Sequence, residues 1–131
     1  PPLPFDQSIF AEQKKIIQEL AGRSPCVIVG RCADEILKEH DPLRIFVHAD
    51  LESRVKRCQA RRTPEETYSE KEWRQKIAEI DRDRSRYYEF YTGKTWGDRR
   101  NYDFCINTTN LDIKDFAVHF SQLYLAWECK L

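Results

Sequence analysis

Methionine is absent from the 131 residues, so no initiator residue is present and the chain reads as starting partway through a longer product. Glycine is scarce. Gly22, Gly30, Gly93 and Gly97 stand alone, so a phosphate loop of the GxxxxGK type followed by Ser or Thr is missing, as is any relaxed glycine-rich version. Net charge is also missing. The 22 Lys and Arg balance the 22 Asp and Glu, which removes the bulk electrostatic reason to expect a nucleic-acid partner. No run of ~20 apolar residues exists to span a membrane, in keeping with 34% charged residues and a mean hydropathy of −0.73. The opening Pro1-Pro2-Leu3-Pro4 has the character of neither a signal nor a transit peptide. There is no CxxC pair. The odd set Cys26, Cys32, Cys58, Cys105 and Cys129 predicts reduced thiols and a cytoplasmic location. His40, His48 and His119 are too scattered to build a structural zinc site, so no metal site is expected.

What is present is enough for one folded domain over 1–131, with 40% hydrophobic and 12% aromatic residues. Ser8 is placed to cap a first helix, with Ile9, Ile16 and Leu20 on one face and Phe10 and Ile17 beside it. Gly22 and Pro25 close that helix. Cys26-Val27-Ile28-Val29 lacks polar alternation, which predicts a strand buried on both faces. A short helix over 33–38 and an Asp41-Pro42 turn lead to a second strand, 43–49. Asp50 caps a helix over 51–62, and Thr63-Pro64 breaks it. Ser69 and Glu72 form a capping box that opens a long helix. Its apolar stripe runs through Trp73, Ile77, Ile80, Tyr87 and Tyr91 and is interrupted by Arg84, which is expected to face inward, toward protein or ligand. A third strand covers 102–106. Asn107-Thr108-Thr109-Asn110 leaves it, and Asp112 caps a last helix bearing Ile113, Phe116, Ala117, Phe120 and Leu123. Such alternation predicts an α/β domain with right-handed crossovers and a parallel sheet. Three strands are few for a sheet covered on both faces, so further strands are expected from an upstream segment.

In open α/β sheets ligands sit beyond the carboxyl ends of the strands. That rule selects 30–34, 50–57 and 107–109. An Arg directly after a buried strand is costly unless an anion or a carboxylate meets it. Arg31 with Asp34 therefore holds a phosphate and a base or sugar edge, or else the two form an ion pair capping the sheet. Arg54 and Arg57 share a helical face near the same end. The long helix carries Asp81-Arg82-Asp83-Arg84-Ser85-Arg86, in which Arg82 and Arg86 share a face and Arg84 points elsewhere. Guanidiniums converging from two helices suit phosphoryl transfer, where they neutralise redistributing charge and align the groups. The competing reading is a solvated helix face paired to Glu79, Asp83 and Glu89. Cys32 has no adjacent base to make it a nucleophile, and the tyrosines and Trp96 read as core and loop anchors.

Several ordered motifs together resemble the cytidylate kinase-like family, a branch of the P-loop nucleoside monophosphate kinases. They are Val27-Ile28-Val29-Gly30-Arg31-Cys32-Ala33-Asp34, then Arg44-Ile45-Phe46-Val47-His48-Ala49 with Arg54-x-x-Arg57. Asp81-x-x-Arg84-x-x-Tyr87-Tyr88 follows, then Tyr91-Thr92-Gly93-Lys94-x-Trp96, and Tyr102-Asp103-Phe104-Cys105-Ile106-Asn107-Thr108. The resemblance runs from about Phe10 to Phe120. It implies a three-layer α/β/α P-loop NTPase fold, incomplete at the N-terminus, with a lid at about 54–92. It implies Arg31 and Asp34 at the monophosphate acceptor, and Arg54 and Arg57 on the first arm of the lid. It implies Arg82, Asp83 and Arg84 on the second arm, and Asn107 and Thr108 near the adenine of the donor. It further implies ATP and Mg²⁺, with CMP or a similar nucleotide as acceptor.

The departure is the missing phosphate loop, which the family carries ahead of the part seen here. Either an upstream segment supplies it, which we favour because the sheet is also short of strands, or the protein has lost it. The first predicts transfer of the γ-phosphoryl group of ATP to a nucleoside monophosphate. The second predicts a non-catalytic nucleotide- or phosphate-binding module. A weaker third reading, an RNA-binding domain using the Arg-rich helix, conflicts with the neutral net charge.

Overall fold

A computed structural model describes residues 6–128; Cys129 and the opening prolines lie outside them. Helix α1 spans Gln7–Arg23. Its N-cap is Asp6 rather than Ser8: the Asp6 carboxylate accepts from Ser8 N at 2.9 Å and Ile9 N at 3.3 Å. The buried face of α1 is centred on Ile17, with Phe10 half-buried, while Ile9, Ile16 and Leu20 are exposed. The prediction thus chose the neighbouring stripe. Leu37 and Ala33 draw Ile17 in, with Ala33 carried by the one-turn helix α2 (Ala33–Ile36).

Between these helices the expected buried strand does not form. Residues 25–29 carry no ladder hydrogen bonds, and only Ile28 packs against the Ile17 cluster. Val27 and Val29 are 94% and 89% exposed. The physical reason is that no strand pairs with this segment among the described residues, so nothing covers its other face.

Strand β1 (Ile45–His48) and strand β2 (Phe104–Asn107) pair in parallel, with Ile45 opposite Phe104 and His48 opposite Asn107. The parallel sense was expected, and the connection holds helices α3 (Leu51–Ala60) and α4 (Glu70–Thr92). Asp50 caps α3 by accepting from Ser53 N at 2.7 Å. The Ser69–Glu72 capping box opens α4 as predicted, with both reciprocal bonds formed. The two helices pack through Val55, Trp73 and Ile77. Burial along α4 then passes to Tyr88, leaving Ile80 49% exposed. A straight helix at 3.6 residues per turn carries its apolar stripe around the axis, and the predicted stripe did not follow that drift.

On one face of the sheet Phe46 meets Trp96 edge-on at 5.3 Å and Tyr102 at 5.0 Å. On the other, Phe104 meets Phe120 and Trp127 of helix α5 (Ile113–Glu128). Asp112 caps α5, accepting from Asp115 N at 2.9 Å. The result is a mixed α/β arrangement around a small, parallel, two-stranded sheet.

Candidate functional site

Both strands end at the same edge, and the loops leaving them are laced together. Thr108 donates from its backbone N (2.7 Å) and its Oγ1 (3.0 Å) to the carbonyl of His48. Asp50 N donates to Thr109 Oγ1 at 2.9 Å, and Ser53 Oγ donates to the Thr109 carbonyl. These bonds fix the start of α3 over the carboxyl end of the sheet, so that its first turns present Arg54 and Arg57 there.

A cavity of about 370 Å³ lies at this edge. Its walls include all three arginines expected to act together: Arg54 and Arg57 from α3 and Arg84 from α4. Phe46, His48 and Trp96 supply an aromatic side, and Asp81 and Thr108 complete it. The arginines are not equivalent. Arg54 is gripped by Asp81 through Nη1 at 2.7 Å and Nη2 at 2.8 Å, and that carboxylate raises the guanidinium's pKa further above its ordinary value. Arg57 donates to Thr108 Oγ1 at 3.1 Å and to the Thr108 carbonyl. Arg84 is exposed and makes no hydrogen bond or ion pair among the described residues. It faces the cavity without being buried among the apolar side chains of the helix stripe, so of the two directions expected for it, toward protein or toward ligand, it takes the second.

The Gly30–Asp34 loop is built differently. Gly30, Arg31 and Cys32 are successive left-handed residues, with φ of 72°, 57° and 57°. Glycine takes this conformation freely, whereas the other two pay roughly 1–2 kcal/mol each. Neighbours hold them. Cys32 is buried, and burial, with Asp34 and Glu35 adding to it, pushes its thiol up to about 12. Such a thiol stays protonated at neutral pH, in keeping with its rejection as a nucleophile. The Arg31–Asp34 ion pair considered as an alternative does not form. The Arg31 guanidinium lies 5.8 Å over the Tyr87 ring, and Asp34 Oδ2 accepts from Tyr88 Oη at 2.8 Å.

The remaining predicted residues are less engaged with the cavity. Arg82 is exposed and Asp83 half-buried, and neither lines it. Asn107 spends its Oδ1 on Thr109, accepting from N at 3.1 Å and Oγ1 at 2.7 Å. Thr108 is buried and serves as an internal anchor for Arg57 and His48. The solvated-face pairing of the Arg-rich helix is sparse: Glu89 accepts from Ser85, at 3.5 Å, and none of Arg82, Arg84 and Arg86 forms an ion pair among the described residues.

Four site residues were missed: His48, Asp81, Trp96 and Tyr88. His48 is the last residue of a strand, a position that the carboxyl-end rule could have flagged. Asp81 lies at helical distance from Arg84, but its pairing with Arg54 spans 27 residues and leaves no local signal. Trp96 and Tyr88 read from sequence as core and loop anchors; Tyr88 is indeed buried, and its hydroxyl meets Asp34. Among the described residues no three His, Cys, Asp or Glu side chains cluster as metal ligands. No helix is long and apolar enough to cross a membrane. A second cavity of about 460 Å³, between β2 and α5, is lined almost wholly by apolar side chains such as Phe104, Phe116 and Leu123.

The profile of the cytidylate kinase-like family matches residues 3–110. No curated protein matches the chain. A solved structure of an uncharacterized protein from Eubacterium ventriosum superposes with a TM-score of 0.80 at 32% identity, over 92% of this chain. This chain spans 66% of that protein's length.

Proposed function

The chain belongs to the cytidylate kinase-like family, and from that membership we propose that its whole protein transfers the γ-phosphoryl group of ATP to a nucleoside monophosphate such as CMP. The observation that carries this reading is the meeting of Arg54, Arg57 and Arg84 around one cavity at the carboxyl edge of a parallel sheet. Three guanidiniums, two of them tethered and one free among the described residues, partly walled by Phe46 and Trp96, suit the anionic oxygens of phosphates in a site of reduced dielectric. Arg84 has its donors free for that purpose, and Arg31 and Asp34 would meet the acceptor nucleotide from the neighbouring loop. On the same reading the chain is the C-terminal part of a three-layer α/β/α P-loop kinase fold with its lid at about 54–92. The narrow two-stranded sheet and the bare Val27 and Val29 support a wider sheet in the whole protein.

ATP would supply the transferable phosphoryl group. The guanidinium donors fit its charged oxygens. For Mg²⁺ the cavity offers Asp81 alone, and its carboxylate is already spent on Arg54, so the described residues do not fit a metal and no step is drawn through one. The chain's contribution is to bind, align and neutralise, with water kept from the phosphates when the site closes.

A second reading is favoured by one feature: Arg54 and Arg57 are already satisfied by protein partners. A module that binds a nucleotide or phosphate without turnover would need no more than Arg84 and Arg31. A phosphoryl-transfer screen of nucleoside monophosphates on the full-length protein, with Arg31→Ala and Arg84→Ala, decides. The kinase reading expects turnover, and a fall in kcat/KM of roughly tenfold or more for each variant, since each removes charged hydrogen bonds. Binding without turnover selects the module. Variants within about twofold of wild type remove the assigned roles.

A further inference from the structure

We infer that Tyr88 is the positioning residue of the acceptor site, holding Asp34 and the left-handed Gly30–Cys32 turn in binding geometry from the same helix that carries Arg84. The inference rests on the kinase-family reading of Arg31 and Asp34 and deepens it.

Three observations converge. Tyr88 is 5% exposed, yet its single hydroxyl reaches 54 residues back along the chain to donate to Asp34 Oδ2 at 2.8 Å. A buried phenol aimed at a carboxylate forms a charge-assisted bond, stronger than a neutral one. Burial, then Asp34, raises the Tyr88 pKa, so the hydroxyl keeps its proton and stays a donor across the physiological range. Next, the loop it holds is strained. Arg31 and Cys32 sit at positive φ, a state that persists only where surroundings enforce it. Finally, the preceding residue grips the other end of that loop. The Tyr87 ring lies under Arg31 at 5.8 Å while its hydroxyl donates to Gln13 on α1 at 3.1 Å. Adjacent tyrosines of α4 thus fasten both residues expected at the acceptor. Arg84 lies one turn earlier on the same helix, so the spacing between phosphate-side and acceptor-side groups is set by the helical rise. Asp34 retains Oδ1 for a ligand.

The test titrates CMP into wild type, Tyr88→Phe, Asp34→Ala and the double variant by calorimetry, with backbone hydrogen exchange over residues 30–35 as a readout independent of ligand. Tyr88→Phe keeps the ring and removes only the hydroxyl. It is expected to weaken CMP binding roughly tenfold, to do nothing further in the Asp34→Ala background, and to speed exchange in the loop while Trp73–Ile77 keeps its protection. Asp34→Asn, which retains an acceptor oxygen for Tyr88, is expected to restore the loop's protection. If wild type binds CMP and Tyr88→Phe binds equally well, Tyr88 has no positioning role and the acceptor assignment survives. If wild type does not bind CMP, the acceptor assignment fails and the inference falls with it. Unchanged exchange in the loop of Tyr88→Phe also overturns it, as does Asp34→Asn exchanging as fast as Asp34→Ala, a comparison that holds even should Tyr88→Phe fail to fold.

Discussion

Arg54 and Asp81 meet through two parallel hydrogen bonds of 2.7 and 2.8 Å, closing α3 onto α4 beside the cavity. Fork-to-carboxylate geometry of this kind is the strong form of an ion pair, and each side chain is less than a third exposed. A double-mutant cycle of Arg54→Ala and Asp81→Ala is expected to give a coupling of about 1–2 kcal/mol in urea unfolding. Additivity would reduce the pair to a surface contact. Because Asp81 competes with any anion for Arg54, Asp81→Asn is also expected to tighten phosphate binding, and calorimetry with inorganic phosphate reads this.

Arg84→Ala separates function from stability. With no partner among the described residues and an exposed side chain, its loss is expected to change unfolding free energy by less than about 0.5 kcal/mol. Nucleotide affinity should fall roughly tenfold or more. A large drop in Tm would show that the guanidinium supports the fold.

Gly97 has a φ of 80°, and a Cβ there would come within 3.1 Å of Phe46 Cζ. Its backbone N also donates to Tyr102 Oη at 3.2 Å. Gly97→Ala therefore meets both backbone strain and a ring held between Trp96 and Tyr102, with an expected cost of about 1–3 kcal/mol by denaturant unfolding. An unchanged midpoint would mean that the ring yields freely.

Asp98 is held down to about 2, from 3.8, by side-chain bonds from Arg100, with the Arg100 backbone N adding to them. A carboxylate depressed in the folded state gives stability that is present above 3.8 and lost as the pH falls towards 2, because the unfolded chain takes up the proton first. The Tm difference between wild type and Asp98→Asn should therefore be full at pH 6 and shrink between pH 4 and 2. A difference independent of pH would assign the effect to something other than ionisation.

The helices and their ends were largely legible. Ser69–Glu72, Asp50 and Asp112 announce helix starts through local hydrogen-bond chemistry, and all three cap as expected. Asp6 outcompeted Ser8 because an ionised carboxylate is the better acceptor for the first backbone N–H groups. The parallel sheet followed from the alternation of elements. Cys26–Val29 misled because an apolar tetrapeptide reports that its faces want cover without saying whether cover is supplied. At the site, the convergence of Arg54, Arg57 and Arg84 was visible as helical spacing near strand ends. Their division into two tethered and one free cation was not, since Asp81 and Thr108 are 27 and 51 residues away from their arginines. Contacts of that range follow from tertiary packing, which leaves no periodicity to read.

Helix α4 runs 23 residues without a proline or glycine, from the Ser69 capping box to Gly93. At ~1.5 Å per residue that is a rod of about 35 Å with no internal point of bending. Any swing of this segment must pivot at its ends, in the stretch after Pro64 and at Gly93, and must carry Arg84 and Tyr88 through the same arc. Pinning either joint with a crosslink would therefore arrest the whole rod at once, while stiffening its middle would change nothing.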